Sequence, residues 1–516
     1  MYLLRPSIIL LALLSTPVHA GGFFENLFST QQQTITSTVQ RISTLEEVVK
    51  ALERRITALE IPQSGPEKPS TPTPPPITQP PVELPGKPTP GIPVTPSTLT
   101  PIPTPELPTS CDGIPNCSTW NVDMQARGIT YKDAFKDLDR ETPATLIIEE
   151  GEYNVVTTPY LSNYRGLRVI GVGDVRIKGG MVDPSKGYTV GTFLGYGGSN
   201  SGELVVANIR FDGGAHGGRW AGQCIYAGSR HTQQDIKLVN IELFRCGHGL
   251  MGAAETRYDW PETTQDDTWL LDNVLCHASV SHCVYIDRSA HAEVRNSRFY
   301  DPGNGKHALK VISREIDIHD NEVSNAMLDG SASRTTGNAS LSLVSCQTGR
   351  VADNKITFRY DRGGRPGANG TGGHIIDFQP RWVLHGCDSP AYESDEFWDP
   401  AYWADPDHRM EKVVSGNEIV LTTAPEQNRP KFSIVVNQGT LPVTAKRWGS
   451  THLVPLPRPD GWYERSHVTV EGNSFVNMMA GDSVCVSKYW GQRDTNDDWP
   501  ALDEQTVTGS DCSLTF

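Results

Sequence analysis

The chain has 516 residues, 37% of them hydrophobic, and a formal net charge of -15. It is longer than one ordinary domain requires, and its apolar content supports a packed core over only part of that length. The excess of carboxylates sets nucleic acid aside as a partner.

At the N-terminus Arg5 precedes an apolar stretch from Ile8 to Leu14, and Val18-His19-Ala20 supplies the small-residue pattern of a signal peptidase site. Residues 1–20 are therefore expected to be a secretory signal peptide. No later segment is long and apolar enough to span a bilayer. The mature protein is expected to be secreted, extracellular, at the cell surface or in a periplasm. Ten cysteines in an exported chain predict disulfides, with Cys111–Cys117 and Cys485–Cys512 as the first pairs to test.

From Thr34 to Ile61 the hydrophobic period becomes seven, with Ile35, Ile42, Val49 and Ile56 at one core position and Leu45, Leu52 and Leu59 at the other. These four heptads predict a coiled coil roughly 40 Å long over residues 34–61. β-branched residues alternating with Leu suit a parallel dimer. Arg41-Ile-Ser-Thr-Leu-Glu46 and Arg55-Ile-Thr-Ala-Leu-Glu60 resemble instead the Arg-apolar-x-x-apolar-Glu motif of short trimeric coiled coils, although Val48 departs from it in the middle heptad. The expected partner is a second and third copy of this chain, a homotrimer through residues 34–61.

Residues 62–110 follow as a linker, and Pro62 to Pro108 holds eighteen of the 38 prolines. Such a segment builds no core and is expected to be an extended spacer reaching up to roughly 140 Å. Residues 111–145 form a cap region in which Tyr131 to Leu138 has the pattern of a short amphipathic helix. An apolar strand, Thr145-Leu-Ile-Ile, and Gly151-Glu-Tyr153 come next.

Residues 146–490 repeat one strand grammar. Six segments begin at Gln223, His248, His282, His307, Ala339 and His374; the third residue of each is apolar, the fifth mostly so, and the fourth varies as Tyr226, Met251, Tyr285, Lys310, Ser342 and Asp377. Period-two alternation of this kind predicts half-buried strands. A second element, an Asn before an alternating run, occurs at Asn208, Asn240, Asn273, Asn296, Asn321, Asn354, Asn417 and Asn473, separated by 32, 33, 23, 25, 33, 63 and 56 residues. Fixed strands with elastic loops predict a parallel β-helix whose coils are a little over twenty residues, with Asn in tight left-handed bends. Residues 491–516 are left as a C-terminal tail or cap.

The helix, then apolar strand, then Gly-x-Tyr entry resembles that of the pectate-lyase-like superfamily of right-handed β-helices. The resulting fold class is all-β: a right-handed, single-stranded parallel β-helix with an N-terminal capping helix, preceded by a coiled-coil stalk and a Pro-rich linker. The resemblance implies a polysaccharide ligand, acid-base attack on a uronic acid, and groups that neutralise its carboxylate.

On that basis the candidate catalytic residues are Lys310 as base and Tyr285 as proton donor, with His307 or Asp377 in support. Candidate substrate-binding residues are Asp287, Arg288 and Arg381 on the strands, and Arg362 and Arg365 on the Gly-rich loop from Arg359 to Gly373, where guanidinium groups suit carboxylate or sulfate. Two insertions, 386–410 and 440–466, add Trp398, Trp403, Trp448 and Trp462 as faces on which pyranose rings could stack. The first-position histidines share parity with the buried residues, so His248 and His282 are expected to be a structural turn ladder.

Several sharper motifs fail. Cys246-Gly-His-Gly249 is similar to a polygalacturonase element whose companions are absent in order, and Asp301-Pro-Gly matches mannuronan epimerases in two residues only. No zinc spacing or nucleotide loop occurs, so no cofactor is called for; calcium is a candidate whose ligands are unknown. The resulting reading is a carbohydrate-active protein that binds and cleaves or modifies an acidic polysaccharide, by β-elimination or related chemistry. The alternative is a non-catalytic trimeric adhesin whose loops only bind glycan.

Overall fold

In the computed structural model the described residues are 99–155, 160–179, 182–183, 188–189, 193–196, 200–214, 223–227, 234–253, 267–303, 306–326, 338–345, 348–359, 374–378, 410–422, 432–439, 444–446, 453–455, 466–489 and 507–516. The signal peptide and coiled-coil expectations lie outside them. The chain divides into residues 1–91 and 92–516, and every described residue belongs to the second unit.

Among the described residues one continuous sheet of 27 strands winds through the body, every pairing in it parallel, as a parallel β-helix requires. Three walls stack coil on coil. Wall one holds Ile225–Ala227, Leu250–Ala253, the starts of Val284–Arg295 and His307–His319, then Asn338–Ser345, His374–Phe378, Ser433–Gly439 and Ser483–Tyr489. Wall two runs from Cys117–Trp120 through Ala144–Ile148 and Leu167–Gly171 to Gly349–Ala352, Met410–Ser415 and Ser466–Glu471. Wall three includes Arg298–Tyr300, Glu322–Ser324, Lys355–Arg359, Glu418–Thr422 and Ser474–Val476. Inward residues from the three walls form a single core, most of it fully buried. A period-two pattern achieves this because each strand gives one face to the lumen.

The asparagines hold the bend between walls two and three, though not all in one way. Asn208, Asn240, Asn273 and Asn296 adopt φ of 57°, 53°, 55° and 51°, as predicted. In the next four coils the left-handed position passes to the preceding residue, Asp320, Asp353, Gly416 or Gly472. Asn321, Asn354, Asn417 and Asn473 then turn into the bend. There each of the first three accepts, through its side-chain oxygen, bonds from the coil before, and each donates to the amide oxygen of the next, as in Asn354 Nδ2 to Asn417 Oδ1 at 2.9 Å. Asp511 ends the row, taking bonds from Gly472 N, Asn473 N and Asn473 Nδ2. A carboxylate suits that terminus because it only accepts.

Both ends of the lumen are closed. At the N-terminal end Trp120, Tyr131, Phe135, Tyr153 and Phe193 pack ring on ring. The predicted helix over 131–138 is only a 3-10 turn at Asp133–Phe135, while an α-helix lies earlier, at Val122–Ala126, capped by Asn121. At the other end the tail supplies Val507, Asp511 and the Cys485–Cys512 disulfide. Cys111–Cys117 and Cys224–Cys246 are also bonded.

The last part of the Pro-rich segment belongs to the body. Residues 99–110 lie along the outer face of wall two: Ile102 N donates to Glu293, Thr104 bridges Asp272 and Arg295, and Leu107 packs on an apolar patch of Ile147, Ile170, Val205, Ala207 and Val239. Residues 99–110, expected to be spacer, thus lie on the body, because extended Pro-rich chain can lie in a groove that offers it both apolar surface and acceptors.

Candidate functional site

The outward column of wall one is the one expected. Strand register pairs Tyr226 with Met251, Met251 with Tyr285, Tyr285 with Lys310, Lys310 with Ser342 and Ser342 with Asp377. Its inward neighbours Ile225, Leu250, Val284, Leu309, Leu341 and Ile376 are buried to 1% or less, and they are what fix the column to the outside. The column is not uniformly exposed. Tyr226, Met251, Tyr285 and Lys310 are half-buried, whereas Ser342 and Asp377 are buried, at 3% and 2%.

Lys310 extends toward the preceding coil, with Nζ 4.5 Å from the centroid of the Tyr285 ring. The ring face presents negative quadrupole charge to a cation in that position. Asp377 stands two rungs from Lys310, about 10 Å at strand spacing, on the side away from Tyr285.

The histidines depart from expectation. His248, His282 and His307 stack on one another, with ring centroids 5.7 and 5.6 Å apart, so the ladder exists. Yet the rings lie on the Tyr285 side: His282 is 5.8 Å and His248 6.5 Å from the Tyr285 ring. Parity fails because the second residue of the motif, Cys224, Cys283, Ala308 or Ile375, is buried as fully as the third. Two consecutive inward residues mark a corner, and the corner turns the first residue outward beside the fourth.

Burial holds all three imidazoles neutral, His248 at about 4, His282 at about 2 and His307 at about 4, with the Lys310 charge acting in the same direction. His282 Nδ1 lies within hydrogen-bonding reach of both backbone groups of His307, 3.1 Å from its N–H and 3.3 Å from its carbonyl oxygen. His374 is buried at 7% two strands further on.

Asp287 pairs with Ile312, and Arg288 falls at a bulge between Asp287 and Ser289; both are placed by their strand backbone alone. Arg362, Arg365, Arg381, Trp398, Trp403, Trp448 and Trp462 lie outside the described residues. Among the described residues no cluster of three His, Cys, Asp or Glu is placed to hold a metal ion, and no helix is long and apolar enough to cross a membrane.

The described site thus offers a ridge of two phenols and a thioether, one cation on a ring face, and a stack of neutral imidazoles. Phenol and imidazole provide flat apolar faces with hydrogen-bonding rims, and the ammonium provides a counter-charge for one carboxylate. The histidine stack was visible in sequence as a recurring first residue; what concealed its direction was the corner. Comparison of the chain with protein-family models, curated proteins and solved structures found no match in any of the three.

Proposed function

We propose that the protein is a secreted carbohydrate-active β-helix that binds an acidic, uronate-containing polysaccharide along wall one and acts on it by elimination or related chemistry. The observation that carries this reading is the column Tyr226, Met251, Tyr285 and Lys310, an aromatic ridge with a cation on a ring face, flanked by neutral histidines. In this reading Lys310 meets the sugar carboxylate. An ammonium on a ring face must lose its proton before it can abstract another, so a role as base requires its release from Tyr285 on substrate binding; His307, already neutral, stands beside it as an alternative base. Tyr285 remains the proton donor.

A second reading rests on a different observation. Asp377 is buried at 2%, two rungs along the column from Lys310, and a ridge that only binds suits an adhesin carried on a homotrimeric coiled-coil stalk. Incubating the full chain with alginate, pectate and glycosaminoglycans, while following absorbance of unsaturated uronates and polymer retention, separates the two. Unsaturated product supports the lyase. Retention without product or epimerised sugar supports the adhesin, and neither on any acidic glycan overturns both.

A further inference from the structure

Beside the three disulfides among the described residues, two more described cysteines lie in the core as thiols: Cys276 and Cys283. They flank the corner between walls three and one, immediately beneath the histidine stack. Cys276 is an inward residue of strand Thr268–His277, in register with Leu243 and Phe299, and Cys283 follows His282. Both are 0% exposed. Their sulfurs converge on one hydroxyl, with Ser279 Oγ 3.4 Å from Cys276 Sγ and 3.8 Å from Cys283 Sγ. Each also reaches the other's carbonyl oxygen, at 3.7 and 3.5 Å. The neighbouring coil leaves space for them: a Cβ on Gly249 would stand 2.5 Å from Cys276 Sγ and 2.5 Å from Cys283 O.

We propose that Cys276 and Cys283 are joined by a disulfide in the mature protein, stapling the corner that carries His282. The step is thiol-disulfide exchange. The two thiols give up two protons and two electrons, a bond forms between the Sγ atoms, and the disulfide of an oxidised dithiol oxidoreductase is reduced to two thiols. Closure precedes packing of the corner, for two physical reasons. Two cysteines seven residues apart meet at small loop-closure cost in the unfolded chain. Once folded, burial drives the Cys283 thiol far above its ordinary range, so the thiolate that exchange needs no longer forms. The bridge would replace two buried thiols by an apolar link and limit how far the His282 ring can move from its neighbours.

The test is peptide mapping of the full chain exported to an oxidising compartment and unfolded in denaturant with iodoacetamide, without reductant. Arg257 and Arg288 bracket a tryptic peptide, residues 258–288, that contains both cysteines and no others. The expected peptide is unalkylated and lighter than the dithiol by two hydrogens, taking up two alkyl groups only after reduction. Recovery of the doubly alkylated peptide without reduction, or of either cysteine bridged to a third, overturns the proposal. The Cys485–Cys512 link in the same digest serves as the control that oxidation took place.

Discussion

Lys310 places its ammonium 4.5 Å from the centroid of the Tyr285 ring, one rung away on the same outward column. The pair separates two roles that a single deletion would confuse. Tyr285→Phe keeps the ring face and removes only the hydroxyl, while Tyr285→Leu removes both. If Tyr285 is a proton donor, Tyr285→Phe is expected to cut turnover on a uronate polymer by about 10²-fold or more. If it only positions Lys310, Tyr285→Phe is nearly silent and Tyr285→Leu weakens binding a few-fold, as a contact of about 0.5–1 kcal/mol allows. Steady-state rates of the two variants and of Lys310→Met decide between these outcomes.

The histidine stack predicts acid sensitivity. His248 and His307 sit at about 4 in the folded protein and His282 at about 2, against 6.5 for the unfolded chain. Between those values the unfolded state binds more protons than the native one, so stability falls as pH drops below 6.5. His319 works in the opposite sense, because its bond to Glu293 raises it. Each buried ring is expected to remove on the order of 1–2 kcal/mol between pH 7 and pH 5. Urea midpoints at the two pH values should show the drop in the parent and a smaller one in His307→Gln; equal drops would mean the ring is not held neutral.

The strap over wall two predicts a protease boundary. Glu293 is 0% exposed, and although burial pushes its carboxyl up, bonds from His319, the Ile102 N–H and Arg295 hold it below the usual carboxylate range. Ile102→Pro removes that N–H and is expected to cost about 1.5–3 kcal/mol, the value of a hydrogen bond to a charged group. Limited proteolysis of the full chain should cut before residue 99 and spare 99–110. In Ile102→Pro, cleavage is expected to move into 99–110; an unchanged pattern would show that Leu107 holds the strap alone.

Much of the body is legible in the sequence because a β-helix repeats one pattern, and a repeated pattern fixes register. The order Tyr226 to Asp377 follows from alternation alone. What alternation does not carry is a change of phase. The corner before Val284 reverses the side on which His282 lies, and the bend at Asn321 shifts the left-handed residue back to Asp320; both are one-residue slips that look regular in sequence. Nor does alternation say what covers a strand from outside. Ser342 and Asp377 share the column of Lys310, yet they are buried, and the long segments around them are where a strand pattern has no grip. The strap was hidden by composition, since proline content describes chain stiffness and says nothing of docking.

The asparagine row predicts that its last member matters more than its size suggests. Asp511 accepts three N–H groups from Gly472 and Asn473, at 3.2, 2.9 and 2.8 Å. Asp511→Ala leaves those donors unmatched at a half-buried terminus and is expected to cost about 1–3 kcal/mol. Asp511→Asn retains an acceptor and should recover part of the loss. Chemical denaturation with far-UV detection measures both, and an Ala variant indistinguishable from the parent would mean that the row is closed by water instead.

A buried lysine gives the last prediction. The inward column of wall two reads Ile316, Gly349, Lys412, Val468 and Val507, and Lys412 is 0% exposed, with Nζ 5.7 Å from the Phe378 ring. Gly349 makes room, since a Cβ there would meet Lys412 Cγ at 3.1 Å. Burial lowers the amine to about 7 from 10.5. Between those values the unfolded chain holds a proton that the native state does not, so stability rises with pH by up to about 1.4 kcal/mol per unit. Buried tyrosines such as Tyr153, pushed up to about 12, oppose this only above pH 10, where unfolded tyrosines ionise. Lys412→Met keeps the length without the charge, and is expected to exceed the parent in stability at pH 7 and to lose the rise between pH 7 and 9.5. A parent whose urea midpoint is flat over that range would show that the Lys412 amine keeps its ordinary proton affinity inside the solenoid.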